Sequence, residues 1–275
     1  EKDECSGWID RYVTARYGTS DSSMTEGWKL LASSVLDCPT AQQGVSEPVV
    51  CARPSLEVRS VSEWSTCAIY HDTGKVRNAA SLMLKEKESF RDNLNYGHDI
   101  VDVVRQALTD SSYVLLAQIE ESWKKGDRKE FRKGYEAFLE MIEDMDRLLS
   151  TSGLFTLYRW IESARGVCDE IEGTTEKDRA WMEWNARTLI SVWGPEGAAE
   201  QGHLHDYSNR QWAGMLKGFY YPRWERFFKA LEGGKQYTYT AIFGKDVFLI
   251  PSMAAIAACL IMMRKTGKEE NHAYF

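Results

Sequence analysis

Self-contained catalytic motifs are what this sequence lacks most. Its six cysteines and five histidines form no Cys-x-x-Cys pair and no Cys/His cluster with zinc spacing, which removes the common structural zinc sites. It has no Gly-rich phosphate loop and no G-x-S-x-G elbow, so it offers neither a nucleotide cradle nor an exposed serine nucleophile. No cofactor motif and no Asn-x-Ser/Thr sequon occurs. Positive charge is in deficit, with 34 Lys and Arg against 41 Asp and Glu and a net charge of −7. That argues against a nucleic-acid binder, which concentrates basic residues, although a local basic patch would suffice for an acidic polysaccharide. The longest apolar run, VFLIPSMAAIAACLIMM (Val247–Met263), is interrupted by Pro251 and Ser252. It falls short of the roughly 20 residues needed to cross a bilayer, so a buried helix is expected and no membrane span. The chain opens at Glu1 without a basic or apolar leader, as a mature chain or an excised fragment would.

What remains is a 275-residue chain, 43% hydrophobic and 27% charged, with ten tryptophans. It is globular in composition and long enough for a substantial core. Nearly every segment carries the helical apolar period and no hairpin signature is found. Residues 6–17 form a first helix stopped by Gly18. Ser23 and Glu26 read as the capping box of a second, with Trp28, Leu31 and Val35 on one face. Residues 38–60 hold three of the six prolines and read as loop. Helices follow at about 74–86, 94–125, after an Asp127/Glu130 cap, and in LFTLYRWIESARGVC and KDRAWMEWNARTLISVW, the last halting at Gly194-Pro195. With short links and no internal repeat or linker, the expected fold is all-α: one antiparallel multi-helix bundle over residues 1–275.

The aromatic-rich stretch HDYSNRQWAGMLKGFYYPRW (His205–Trp224) poses the functional question. Trp212, Met215, Leu216, Phe219 and Tyr220 keep the i, i+3, i+4 rule, and Trp224, Phe227, Phe228 and Leu231 resume it beyond Pro222, which should break or kink the helix. Most of these aromatics are therefore core. Gly214 and Gly218, one turn apart, would admit a close backbone. Asp206 and Tyr207 stand before the helix, on the same edge of the bundle as Trp193, which ends the preceding one. An indole, a phenol and a carboxylate there would suit a pyranose ring and its hydroxyls. Equally, Ser208 and Gln211 form an S-x-x-Q capping box, with Tyr207 and Trp212 as its hydrophobic staple. His203, His205 and Asp206 have the residue types of a metal site, but with loose loop spacing, and no metal is expected. Cys38 and Cys51 bracket a turn-rich loop and read either as a disulfide or as two buried thiols.

SVWGPEG followed by DYSNRQWAGMLKGFYYPRW resembles the C-terminal region of the α-N-acetylglucosaminidases, glycoside hydrolase family 89, whose members read WGP, then DYANKQWAGL and YYxPRW. The likeness continues upstream through WNAR, LYRWIESAR, IVDVVRQAL, RPSLEV and YVTARYG, covering about Trp8 to Leu231, while residues 233–275 match poorly. The resemblance implies an all-helical domain packed against a (β/α) barrel that is not in this chain, in a lysosomal or secreted enzyme. That enzyme would remove terminal α-linked N-acetylglucosamine, heparan sulfate included, with retention. Both catalytic glutamates would belong to the barrel and no residue here would be catalytic; Trp193 and Tyr207 would shape the sugar pocket, and Asp206 would hold a hydroxyl or fix Tyr207. A free-standing carbohydrate-binding module or a helical protein-interaction module, homo-oligomeric or not, are the alternatives.

Overall fold

The computed structural model describes residues 7–37, 46–62, 64–191 and 205–234; among these it contains eight α-helices and no strand beyond one isolated bridge. They fall into two compact units, one within Glu1–Ser46 and Ala68–Val114, the other within Glu47–Cys67 and Leu115–Phe275.

The first unit holds α1 (Trp8–Tyr17), α2 (Ser22–Ala32), α3 (Thr73–Lys85) and the part of α4 (Leu94–Lys124) up to Val114. Gly18 ends α1 as its residue type predicts, in the left-handed region with its N–H returned to Thr14 O. The start of α2 differs from the expected Ser23/Glu26 box. Asp21 is the cap and accepts the Met24 N–H at 2.8 Å, because Ser23 already lies inside the first turn. Gly27 lets α2 approach α3 closely: a Cβ there would stand 2.9 Å from Met83 Cγ, and the methionine would have to move. Val13, Met24, Val76, Ala79 and Met83 are wholly buried between these helices.

The second unit contains the remainder of α4, α5 (Arg128–Leu149), α6 (Leu157–Gly166), α7 (Glu176–Leu189) and α8 (Tyr221–Glu232). Asp127 caps α5 as expected, accepting the Glu130 N–H at 3.1 Å. The α5 stripe of Phe131, Tyr135, Phe138, Ile142, Met145 and Leu149 is buried throughout. Against it lies α8, with Trp224 edge-on to Phe138 at 4.9 Å and Phe228 stacked on Tyr135 at 5.1 Å. Truncating any one of these buried rings would cost about 3–5 kcal/mol. Trp224 also donates its indole N–H to Val50 O at 3.0 Å, tying the 47–67 segment to α8.

The aromatic stretch departs most from its expected form. Residues 205–208 are a turn, 209–212 are irregular, and no helix begins at Ser208. The Ser208/Gln211 capping box and the Tyr207–Trp212 staple do not form; Ser208 Oγ donates instead to Leu189 O at 3.1 Å. Two features decide this. Gly214 stands at φ +85, which no continuous right-handed helix passes through. The cap comes from another helix: Asp146 of α5 accepts the N–H groups of Gly214 at 2.7 Å and Lys217 at 3.0 Å. Beyond it, Leu216–Tyr220 form a wide π-turn, in which the Tyr221 N–H reaches back to Leu216 O. Pro222 follows in the first turn of α8, where a missing N–H is tolerated. Proline therefore marks a change of helical pitch and does not separate two helices. No helix among the described residues is long and apolar enough to cross a membrane.

Candidate functional site

The turn at 205–209 is built onto the end of α7. A helix C-terminus leaves its last carbonyls without intrahelical partners. Here Ser208 Oγ serves Leu189 O, and the Asp206 N–H serves Ser191 O at 2.6 Å. The turn closes with the Asn209 N–H on Asp206 O at 2.9 Å. Asp206 and Asn209 are the two described non-glycine residues at positive φ, +55 and +35. Asp and Asn tolerate that region better than other side chains, at a cost of about 1–2 kcal/mol.

Asp206 is only 2% exposed. Both its oxygens are gripped by Arg223, Nη1 to Oδ1 at 2.8 Å and Nη2 to Oδ2 at 2.9 Å, with His205 Nδ1 at 3.2 Å from Oδ2. Arg223 is itself 3% exposed and lies over the rings of Phe219 and Tyr220 at 4.9 and 5.7 Å. Burial alone would raise the Asp206 carboxyl. The charge of Arg223 and the bonds from His205 and Arg223 outweigh it and hold the group below its ordinary value. Asp206 is thus a fixed anion inside the fold.

Tyr207, next in the chain, is 43% exposed and meets Trp64 edge-on, with ring centroids 6.4 Å apart and planes at 85°. A second buried carboxylate underlies this corner. Glu47 accepts the N–H groups of Val61 at 2.7 Å and Ser62 at 3.1 Å, the Ser62 hydroxyl, and the Asn209 side-chain amide at 3.3 Å. The segment bearing Trp64 and the turn bearing Tyr207 are therefore fastened to one anion. Burial and the Glu47 charge also push the Cys67 thiol up to about 12, so it stays protonated.

Of the residues marked by sequence, Asp206 and Tyr207 are adjacent and described, one turned inward and the other outward. Asp206 spends both its oxygens on Arg223 and His205 inside the fold, while Tyr207 reaches the surface. Trp193, His203 and Cys38 lie outside the described residues; Cys51 is buried. Among the described residues no group of three or more His, Cys, Asp or Glu is placed to hold a metal ion. Sequence reasoning missed Arg223, Glu47, Asn209 and Trp64. Arg223 left a signal, since a guanidinium amid an apolar helical stripe requires a buried partner. Glu47, in a proline-bounded loop, left none.

Residues 8–248 match the family described as the alpha-N-acetylglucosaminidase (NAGLU) C-terminal domain. The chain belongs to this family. The match runs past Leu231, where the likeness read from the sequence ends, into the stretch that was expected to match poorly. Human alpha-N-acetylglucosaminidase is 26% identical over 230 residues, which are 83% of this chain and 29% of that protein. A family 89 glycoside hydrolase from Clostridium perfringens, solved in complex with PUGNAc, superposes with a TM-score of 0.79 at 26% identity, over 93% of this chain and 31% of that one. A variant of the Clostridium enzyme, solved with its substrate GlcNAc-alpha-1,4-galactose, gives the same TM-score and identity over 94% of this chain and 31% of its own. The chain thus spans about three tenths of the length of these relatives. Within this α-N-acetylglucosaminidase C-terminal domain, the DYSN and YYPRW motifs that carried the resemblance are the two halves of one buried ion pair, Asp206 with Arg223.

Proposed function

We propose that this chain is the helical part of a larger retaining glycosidase that removes terminal α-linked N-acetylglucosamine, and that the 205–209 turn forms one wall of its sugar pocket. The observation that carries this reading is the Asp206 geometry. A non-glycine residue is kept at positive φ, buried, and locked to Arg223, immediately before an exposed tyrosine. Backbone strain held in place by its surroundings clusters where a side chain must be positioned for function. In this reading Tyr207 offers its ring to the pyranose and its hydroxyl to a sugar oxygen, Trp193 of the WGP motif supplies a second ring, and Asp206 holds Tyr207 in place.

The substrate bound by the Clostridium relative supports a glycan ending in α-linked N-acetylglucosamine as the class; heparan sulfate as one source rests on the family resemblance alone. The two carboxyls of a retaining mechanism, about 5–5.5 Å apart, come from a barrel domain of the same enzyme. The described buried carboxylates beside the turn support that division. Asp206 is held too acidic to serve as a general acid, and Glu47 is engaged by four donors. In a lysosomal or secreted setting of mildly acidic pH, the lowered Asp206 carboxyl stays ionised and the support stays intact.

The test is Tyr207→Phe in the full-length enzyme, which keeps the ring and removes the hydroxyl. kcat/KM is expected to fall by one to two orders of magnitude, about 1.4–2.8 kcal/mol of transition-state stabilisation, with little change in melting temperature. Unchanged kcat/KM would remove Tyr207 from the pocket.

A further inference from the structure

We infer that Trp64 is the wall of a second subsite, the one that receives the sugar attached to the terminal N-acetylglucosamine. The inference rests on the pocket reading of Tyr207 and extends it outward. Exposure rises in steps from Asp206 at 2% through Tyr207 at 43% to Trp64 at 68%. An enzyme that takes the end of a glycan holds the terminal residue deepest, so the outermost ring of such a series meets the next residue along. The perpendicular arrangement of Trp64 and Tyr207 makes a corner of two aromatic planes. Each can take the apolar C–H face of a pyranose.

An exposed tryptophan alone would carry no such weight. This one is anchored. Its backbone N–H donates to Ser62 Oγ at 3.3 Å, that hydroxyl is held by Glu47, and Glu47 also holds the side-chain amide of Asn209 at the base of the Tyr207 turn. A single buried carboxylate therefore ties the backbone that bears Trp64 to the turn that bears Tyr207. Placement of this kind makes Trp64 specificity-determining for the leaving sugar, with no part in the chemistry on the terminal one.

The experiment compares two substrates in the full-length enzyme: GlcNAc-α-1,4-galactose, which has a second ring, and methyl α-N-acetylglucosaminide, which has none. For Trp64→Ala, kcat/KM on the disaccharide should fall about five- to tenfold, mainly through KM, as expected for the loss of one stacking contact. On the methyl glycoside it should stay within about twofold. Trp64→Phe should recover part of the loss. Equal losses on both substrates, or no loss on either, overturn the inference. Tyr207→Phe measured in parallel tests the underlying pocket reading separately, because it is expected to slow both substrates alike.

Discussion

Removing the Asp206 carboxylate should destabilise the second unit more than any exposed substitution in it. Arg223 is 3% exposed and directs both terminal nitrogens at Asp206. Asp206→Ala leaves that cation buried without its counter-ion, a change that costs about 3–5 kcal/mol. At about 2–4 °C per kcal/mol for a unit of this size, the melting temperature should drop by roughly 6–20 °C. Arg223→Met should be similarly harmful, since it strands the anion. The double variant should recover much of the loss, because an apolar replacement of a buried pair is often close to neutral. Urea unfolding followed by tryptophan fluorescence on all four proteins gives the coupling energy, expected to exceed about 2 kcal/mol. A single-variant cost below about 1 kcal/mol, or two costs that simply add, would refute the reasoning. The pH dependence supplies an independent check. The folded carboxyl titrates below its unfolded value of about 3.9, so the folded state binds fewer protons. Its contribution is complete above that pH and is lost as pH falls through the folded value. Asp206→Asn should therefore lower the neutral plateau and flatten the acid arm.

Asp146 should behave in the opposite sense. Burial raises its carboxyl, with the Lys217 and Gly214 amides offsetting only part, so its contribution is present at low pH and lost as pH rises through the folded value. Asp146→Asn, which keeps an acceptor oxygen, should leave stability at pH 7 unchanged or higher, while Asp146→Ala should cost about 1–2 kcal/mol as a lost cap; urea midpoints decide. Gly214→Ala should cost about 1–2 kcal/mol from its left-handed backbone alone, since the added Cβ would meet Leu157 at an ordinary 3.6 Å. Unchanged thermal unfolding would contradict that conformation. The isolated chain should show no turnover of an aryl α-N-acetylglucosaminide, and activity surviving rigorous purification would place catalytic carboxyls within it.

Periodicity made most helices legible because burial of one face leaves a mark every three or four residues. The 31-residue α4 and the Asp127 cap of α5 form where the pattern predicts them. The pattern misled where partners are distant in sequence. A local capping signal at Ser208 is overridden by Asp146, which lies 68 residues before the amide it caps at Gly214. Motif likeness singled out Asp206 and Tyr207 and left Asp206 as either a hydroxyl acceptor or the residue that fixes Tyr207; that the one turns inward onto Arg223 and the other outward was not in the pattern. That division depends on a guanidinium 17 positions away and on a left-handed backbone that no composition encodes.

The π-turn at Leu216–Tyr220 acts as a phase shifter at the head of α8. Each α-helical residue advances by about 100°, and the wide turn adds a residue to one revolution. Downstream, Trp224 and Phe228 are aimed at α5; at its entry, the amides of Gly214 and Lys217 are aimed at Asp146 of the same α5. Deleting one residue within the turn would restore regular hydrogen bonding while swinging the two ends out of step, so that the ring contacts and the cap could not both be met. The span is therefore a place where length matters more than residue identity. Substitutions between 216 and 220 that preserve size and apolarity should be absorbed, whereas a single-residue deletion should uncouple the Asp206 turn from the core that supports it.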